Sequence, residues 1–195
     1  GKPIKVNGDF NSLIASNIYE EGRGIITFHL PLKKIDSHAF NQCSTMTSIV
    51  IPNQVHTIGD RAFNGCSELV AVYLGDKVRD IEAYAFTGCI KINSIEFGDS
   101  LEYIYDYAFS NCDNLINITL PNSVKEIAIG AFSGCQRLES VVIGDGVTTI
   151  RSHAFGGCLS LTEITIPDNV IKLENEAFKE CSSLEHVIIG KGVKV

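Results

Sequence analysis

Residues 150–172 read IRSHAFGGCLSLTEITIPDNVIK, a 23-residue unit that recurs in register through most of the chain. Its Ala-Phe pair falls at 39/40, 62/63, 85/86, 108/109, 131/132, 154/155 and 177/178, and its cysteine at 43, 66, 89, 112, 135, 158 and 181. No insertion breaks the count, so seven units follow one another from Ile35. A fixed period of roughly 20 to 50 residues marks a solenoid, in which each unit buries its apolar side only by stacking on a neighbour.

Numbering the unit 1 to 23, with Ile35, Ile58, Ile81, Ile104, Ile127, Ile150 and Leu173 at position 1, lets the chemistry be read by column. Position 15 holds Ile49, Val72, Ile95, Ile118, Val141, Ile164 and Val187, and position 17 holds Ile51, Leu74, Phe97, Leu120, Ile143, Ile166 and Ile189. Both columns are wholly apolar while positions 14 and 16 are mixed, which predicts one short strand per coil with one face inward, stacked into a parallel sheet. Pro-Asn, Pro-Asp or Gly-Asp pairs (Pro52-Asn53, Gly75-Asp76, Pro167-Asp168) end the strand with turn chemistry. The apolar column Val55, Val78, Leu101, Val124, Val147, Val170 and Val193 then leads back to position 1, a second short extended segment.

Position 3 offers Ser37, Asp60, Asp106, Ser152 and Asn175, all helix N-cap residues. Position 8 offers Gly65, Gly88, Asn111, Gly134 and Gly157, suited to a left-handed stop. Together they predict one helical turn per coil, carrying Ala and Phe inward. Charged substitution at Phe109 or Ile118 is expected to unravel several coils, because stability in a stack is shared between neighbours.

Residues 1–21 do not fit the template and read as an N-terminal cap or degenerate coil. Residues 22–195 read as a single solenoid domain, opening with a partial repeat in which Ile26, Phe28 and Leu32 occupy the columns of Ile49, Ile51 and Val55. Beyond Val195 the next aliphatic position is not reached and no polar capping unit stands there. Either the sequence is a fragment of a longer array, the favoured reading, or two chains associate end to end through the uncapped last coil.

With 45% hydrophobic and 20% charged residues, the 195-residue chain has the composition of a folded domain. A net charge of −7 with 16 scattered Lys and Arg argues against nucleic acid as a partner. No apolar run is long enough to insert in a membrane, and the first residues lack the pattern of a signal peptide.

The unit AFxxCxxLxxIxIPxxVxxI, plainest in LTEITIPDNVIKL (161–173) and LINITLPNSVKEI (115–127), resembles the BspA-type leucine-rich repeat over residues 22–195. The resemblance implies a curved leucine-rich-repeat solenoid of the α/β horseshoe class, here mainly β. It also implies an extracellular or cell-surface setting in a host-associated microbe, and a role in adhesion or binding of a protein or glycan. The alternative is a structural spacer domain within a longer surface protein. The family pattern has no catalytic residues to carry over, so no enzyme activity is expected.

The seven cysteines are odd in number and form one column, with side chains stacked in parallel rather than facing. Free buried thiols are expected, with no disulfide framework and no metal, since no two cysteines lie closer than 23 residues. His29, His38, His56, His153 and His186 read as surface residues; His38 and His153 share a column but sit five coils apart, roughly 24 Å. Asp36-Ser37-His38 has the letters of a hydrolytic triad, but three consecutive residues cannot converge as a triad must. The Asn/Asp column at 53, 76, 99, 122, 145 and 168 reads as turn residues rather than calcium ligands, and no cofactor is implied.

Two surfaces stand out. The outward strand positions Val50, Tyr73, Glu96, Ser140, Val142, Glu163, His186 and Ile188 form a mixed row with more apolar groups than solvation requires. They read equally as a binding face or as β-branched residues favoured in strands. Tyr84, Tyr103, Tyr105 and Tyr107 gather in the third and fourth coils, either as an interface or as an aromatic ladder that supports the coil.

Overall fold

The computed structural model describes residues 6–7, 14–20, 23–28 and 31–194. From Lys34 onward the chain winds through about seven stacked coils of 23 residues, and two parallel ladders run along the stack. The first is a seven-stranded sheet of two-residue strands: Lys34–Ile35, Thr57–Ile58, Asp80–Ile81, Tyr103–Ile104, Glu126–Ile127, Thr149–Ile150 and Lys172–Leu173. Each step pairs residues 23 apart, as in Ile35 with Ile58 and Ile127 with Ile150. Position 1 is buried in the first six of these strands, so a β-branched aliphatic sits inward at each rung.

The second ladder carries the strands expected at positions 14–16. Ser48–Val50, Ala71–Tyr73 and Ser94–Glu96 form one three-stranded sheet, Asn117–Thr119 pairs with Ser140–Val142, and Glu163–Ile166 pairs with His186–Ile189. All are parallel with the same 23-residue step. Val72, Ile95, Ile118, Val141 and Ile164 are buried, whereas Val187 and Ile189 in the last coil are exposed.

Between the ladders the Ala-Phe segment departs from the expected helical turn: it is a ribbon of reverse turns, and the described residues contain no helix. The N–H groups alternate in their use. Those of Ala39, Asn41 and Cys43 donate to Asp36, His38 and Phe40 within the coil, while those of His38, Phe40 and Gln42 donate to Asp60, Ala62 and Asn64 of the next coil. A helix would use every N–H internally, leaving none to hold the neighbouring coil. The position 3 residues therefore cap no helix. Asp106, for example, accepts instead from the Ile129 N–H one coil on.

Two columns of the ribbon take left-handed backbone. Position 8 was expected to do so, and Gly65, Gly88, Asn111, Gly134 and Gly157 have φ between 56° and 76°. Position 4 carried no such signal, yet His38, Arg61, Tyr84, Tyr107, Gly130, His153 and Glu176 have φ between 51° and 62°. Six of these are not glycine, and the inter-coil hydrogen bonds hold them in a region that L-residues otherwise avoid.

The ribbon turns its phenylalanines into the core as one continuous stack. Ring centroids from Phe40 through Phe63, Phe86, Phe109, Phe132 and Phe155 to Phe178 are 5.0–5.6 Å apart, with planes within 7°. Each cysteine from Cys66 onward donates its thiol to the carbonyl oxygen of the Phe one coil earlier, at 3.1–3.4 Å. All seven thiols are free, six of them buried and Cys181 half-buried.

At the strand corners the Asn/Asp column ties coils together. The side-chain oxygens of Asn53, Asn122 and Asp168 accept from the backbone N–H of Asp76, Asp145 and Lys191, each one coil later. Ahead of that column, Gly75, Gly144 and Gly190 lie over the carbonyls of Pro52, Pro121 and Pro167, where a Cβ would come within 2.5–2.6 Å of the oxygen.

At the start of the chain, β1 (Ile14–Glu20) and β2 (Arg23–Phe28) form an antiparallel hairpin. It straddles residues 21 and 22, where the sequence pattern changes. Among the described residues β2 pairs with β1 alone. His29 lies outside the described residues. Asn7 serves the first turn ribbon in place of a preceding coil: its N–H donates to Ala39 O, and its Nδ2 to His38 O and Asn41 O.

Candidate binding surface

The outward strand row is assembled by register alone. Val50, Tyr73 and Glu96 stand side by side, as do Glu163 and His186. All are exposed; Val50 is 71% exposed, Ile188 64%, Val142 54% and Tyr73 50%, high values for apolar side chains on a rigid sheet. Each points outward because its neighbours at positions 15 and 17 point in.

The four tyrosines divide into two pairs. Tyr84 and Tyr107 stack at 5.3 Å with planes 11° apart, and Arg61 lies over the Tyr84 ring with its guanidinium carbon 4.4 Å from the centroid. All three are half-buried, so this column acts as a ladder bracing the strained position 4 backbone. It ends at Gly130, where an added Cβ would run into the Tyr107 ring. Tyr103 and Tyr105 are different: both are exposed, on the outer face of the seven-stranded sheet, with centroids 6.1 Å apart. The residues singled out in the sequence thus lie along two separate ladders and one turn column.

Charges cross the coils by long reaches that no local spacing announces. Lys34 Nζ meets Glu82 Oε1 at 2.7 Å, two coils away, with the bare Gly59 in the coil between. Arg151 spans Glu126 and Glu174 at 2.8 and 3.1 Å. Hydrogen bonds from Lys172, then from the Ser152 N–H and Arg151, hold the Glu174 carboxyl down to about 2. His153 contacts Glu176 at 2.8 Å and His38 lies 3.7 Å from Asp60, both at the surface, while His56 and His186 are exposed.

A shallow groove of about 390 Å³ runs along the turn ribbon between Ser133, Gln136, His153 and Lys179, floored by Gly134, Gly156 and Gly157. It exists because three side chains are missing from its floor, and the run of glycines was the available signal. Among the described residues no three His, Cys, Asp or Glu side chains gather as a metal would require, and no helix is long and apolar enough to cross a membrane.

The model of the BspA-type leucine-rich repeat region matches residues 33–160 and 103–195, in six copies. The chain belongs to the BspA-type leucine-rich repeat family. These repeats are scaffolds, generally protein-binding or surface-associated. The T. pallidum leucine-rich repeat protein is similar at 33% identity and a TM-score of 0.74, covering 80% of this chain and 73% of its own. A leucine-rich repeat protein from Bacteroides ovatus shares 28% identity over 98% of this chain and 53% of its own, with a TM-score of 0.78. A leucine-rich cell surface protein from Faecalibacterium prausnitzii shares 32% identity over 89% of this chain and 45% of its own, with a TM-score of 0.76. The chain therefore spans about half the length of these last two relatives. Comparison with curated proteins gives no match.

Proposed function

We propose that this chain is a non-enzymatic recognition module, secreted or displayed on a bacterial cell surface, that holds a protein or glycan on the outer face of its position 14–16 strands. The observation that carries this reading is the exposure of Val50, Tyr73, Val142 and Ile188 along one rigid row. Apolar groups kept in water on strands whose inward residues Val72, Ile95, Ile118, Val141 and Ile164 are buried have a use at an interface. The surface setting is supported by the F. prausnitzii relative, named as a cell surface protein.

A structural spacer is the second reading, favoured by the share of the longer relatives that the chain covers. The two separate on one experiment. The chain, immobilised, is exposed to host and bacterial surface extracts beside a Tyr73→Ser/Val142→Thr variant of unchanged melting temperature. Recognition predicts a retained partner that the variant releases; retention by neither protein, or equally by both, favours the spacer.

A further inference from the structure

We infer that the outer face of the seven-stranded sheet around Tyr103 and Tyr105 is a second docking surface, and that its occupant is an extended, Arg- or Lys-bearing segment of a protein partner. This deepens the proposed recognition role and rests on it.

Register places the charges. Tyr103 pairs directly with Asp80 on one side and Glu126 on the other, so the ring is flanked by a carboxylate on each adjacent strand, at roughly 4.8 Å. Tyr105 occupies the same column as Glu82, one coil on. Tyr103 and Tyr105 are 39% and 44% exposed, and their rings, tilted 37° to one another, leave faces open to solvent. Glu82 and Glu126 already hold Lys34 and Arg151, which anchors them in place. Asp80 is half-buried and forms none of the ion pairs among the described residues; burial, with Glu102 and Glu82, raises the carboxyl above its usual range against the opposing charges of Arg79 and Lys34. Burial, and then Asp80, Tyr103, Glu82 and Glu126, raise the Tyr105 phenol as well, the mark of a negative field over the rings.

A guanidinium or ammonium group fits such a face twice over. It is attracted to an aromatic ring face, and it supplies Asp80 with a direct ion-pair partner, where Arg79 and Lys34 act only at longer range. Anionic polymers are repelled by the same carboxylates, and a purely apolar segment would leave Asp80 desolvated and unpaired.

The test uses fluorescence anisotropy with three labelled, end-capped probes: alternating Arg-Gly, Ser-Gly and Glu-Gly decapeptides. The Arg-Gly probe is expected to bind with preference over the other two, weakening as salt is raised. Tyr103→Ala and Tyr105→Ala are expected to lower its affinity by about threefold each, and Tyr103→Phe to retain it. Asp80→Asn is also expected to weaken binding. Equal binding of the three probes, or Arg-Gly binding unchanged in the Tyr103→Ala/Tyr105→Ala variant, overturns the inference. If that happens while a surface partner is still released by the Tyr73→Ser/Val142→Thr change, only this inference falls and the recognition reading stands.

Discussion

The thiol of Cys135 donates to the carbonyl oxygen of Phe109 in the preceding coil, 3.2 Å from Sγ to O. The same kind of bond joins Cys112 to Phe86 and Cys158 to Phe132, so the cysteine column is a ladder of weak donors laid beside the phenylalanine stack. Phe86 O and Phe132 O each serve two donors: they also accept from the Cys89 and Cys135 N–H groups through the turn of their own coil, while the thiol of the next coil fills the remaining lone pair.

Cys135→Ala removes both the donor and the volume of the sulfur from a fully buried site. The expected loss of stability is about 1 to 3 kcal/mol, from an unmade hydrogen bond and a small void. Urea unfolding followed by circular dichroism measures it; a loss near zero would mean that the thiol bond contributes nothing.

Burial pushes the Cys135 thiol up to about 12 from an ordinary value of 9.0, and raises Cys112 as well. A raised thiol binds its proton more tightly in the folded state, so its contribution is fully present below pH 9 and is lost as pH rises from 9 towards 12. Melting temperature is expected to fall across that window, and to fall less steeply in Cys135→Ala. A parallel decline in both proteins would assign the alkaline loss to other groups.

Gly144→Ala would bring a methyl group within 2.5 Å of Pro121 O and 2.7 Å of Leu120 O, both backbone atoms that cannot step aside. A cost of about 2 to 3 kcal/mol is expected. At Gly156, on the floor of the groove, the nearest atom to an added Cβ is 3.4 Å away, and Gly156→Ala should cost about 0.5 kcal/mol or less. Thermal melts of the two variants side by side check the contrast.

Glu174 titrates at about 2 in the folded chain because Lys172, the Ser152 N–H and Arg151 all bond its carboxylate. A depressed carboxyl stabilises above its ordinary value of 4.5, and that contribution is lost as pH falls towards 2. Glu174→Gln should flatten the acid limb of the stability curve while leaving the alkaline limb unchanged, as read from urea midpoints between pH 2 and 7. An unaltered acid limb would remove Glu174 from acid denaturation.

The buried columns were legible because a period of 23 returns each residue to the same depth, and Ile118, Phe109 and Leu115 lie where their columns place them. The helical turn was a misreading with a physical cause. Cap and stop residues at positions 3 and 8 are shared by helices and by turn ribbons, and only the neighbouring coil decides which hydrogen bonds alternate N–H groups make. The left-handed backbone of Arg61, Tyr84 and Tyr107 left no trace, since glycine stands in that column only at Gly130. The reach of Lys34 to Glu82 was equally hidden, as it depends on the missing side chain of Gly59. Alternation told which strand residues face water; it carries no information on which of them a partner touches.

The turn ribbon has one further implication. Its cross-coil donors all point the same way, from His38 to Asp60, from Arg61 to Ala83 and on to Gly157 and Lys179. The molecule is in this respect a vector, whose growth is one-sided: a whole coil can be spliced in or out with its orientation kept, but a flipped coil would set oxygen against oxygen along an entire edge.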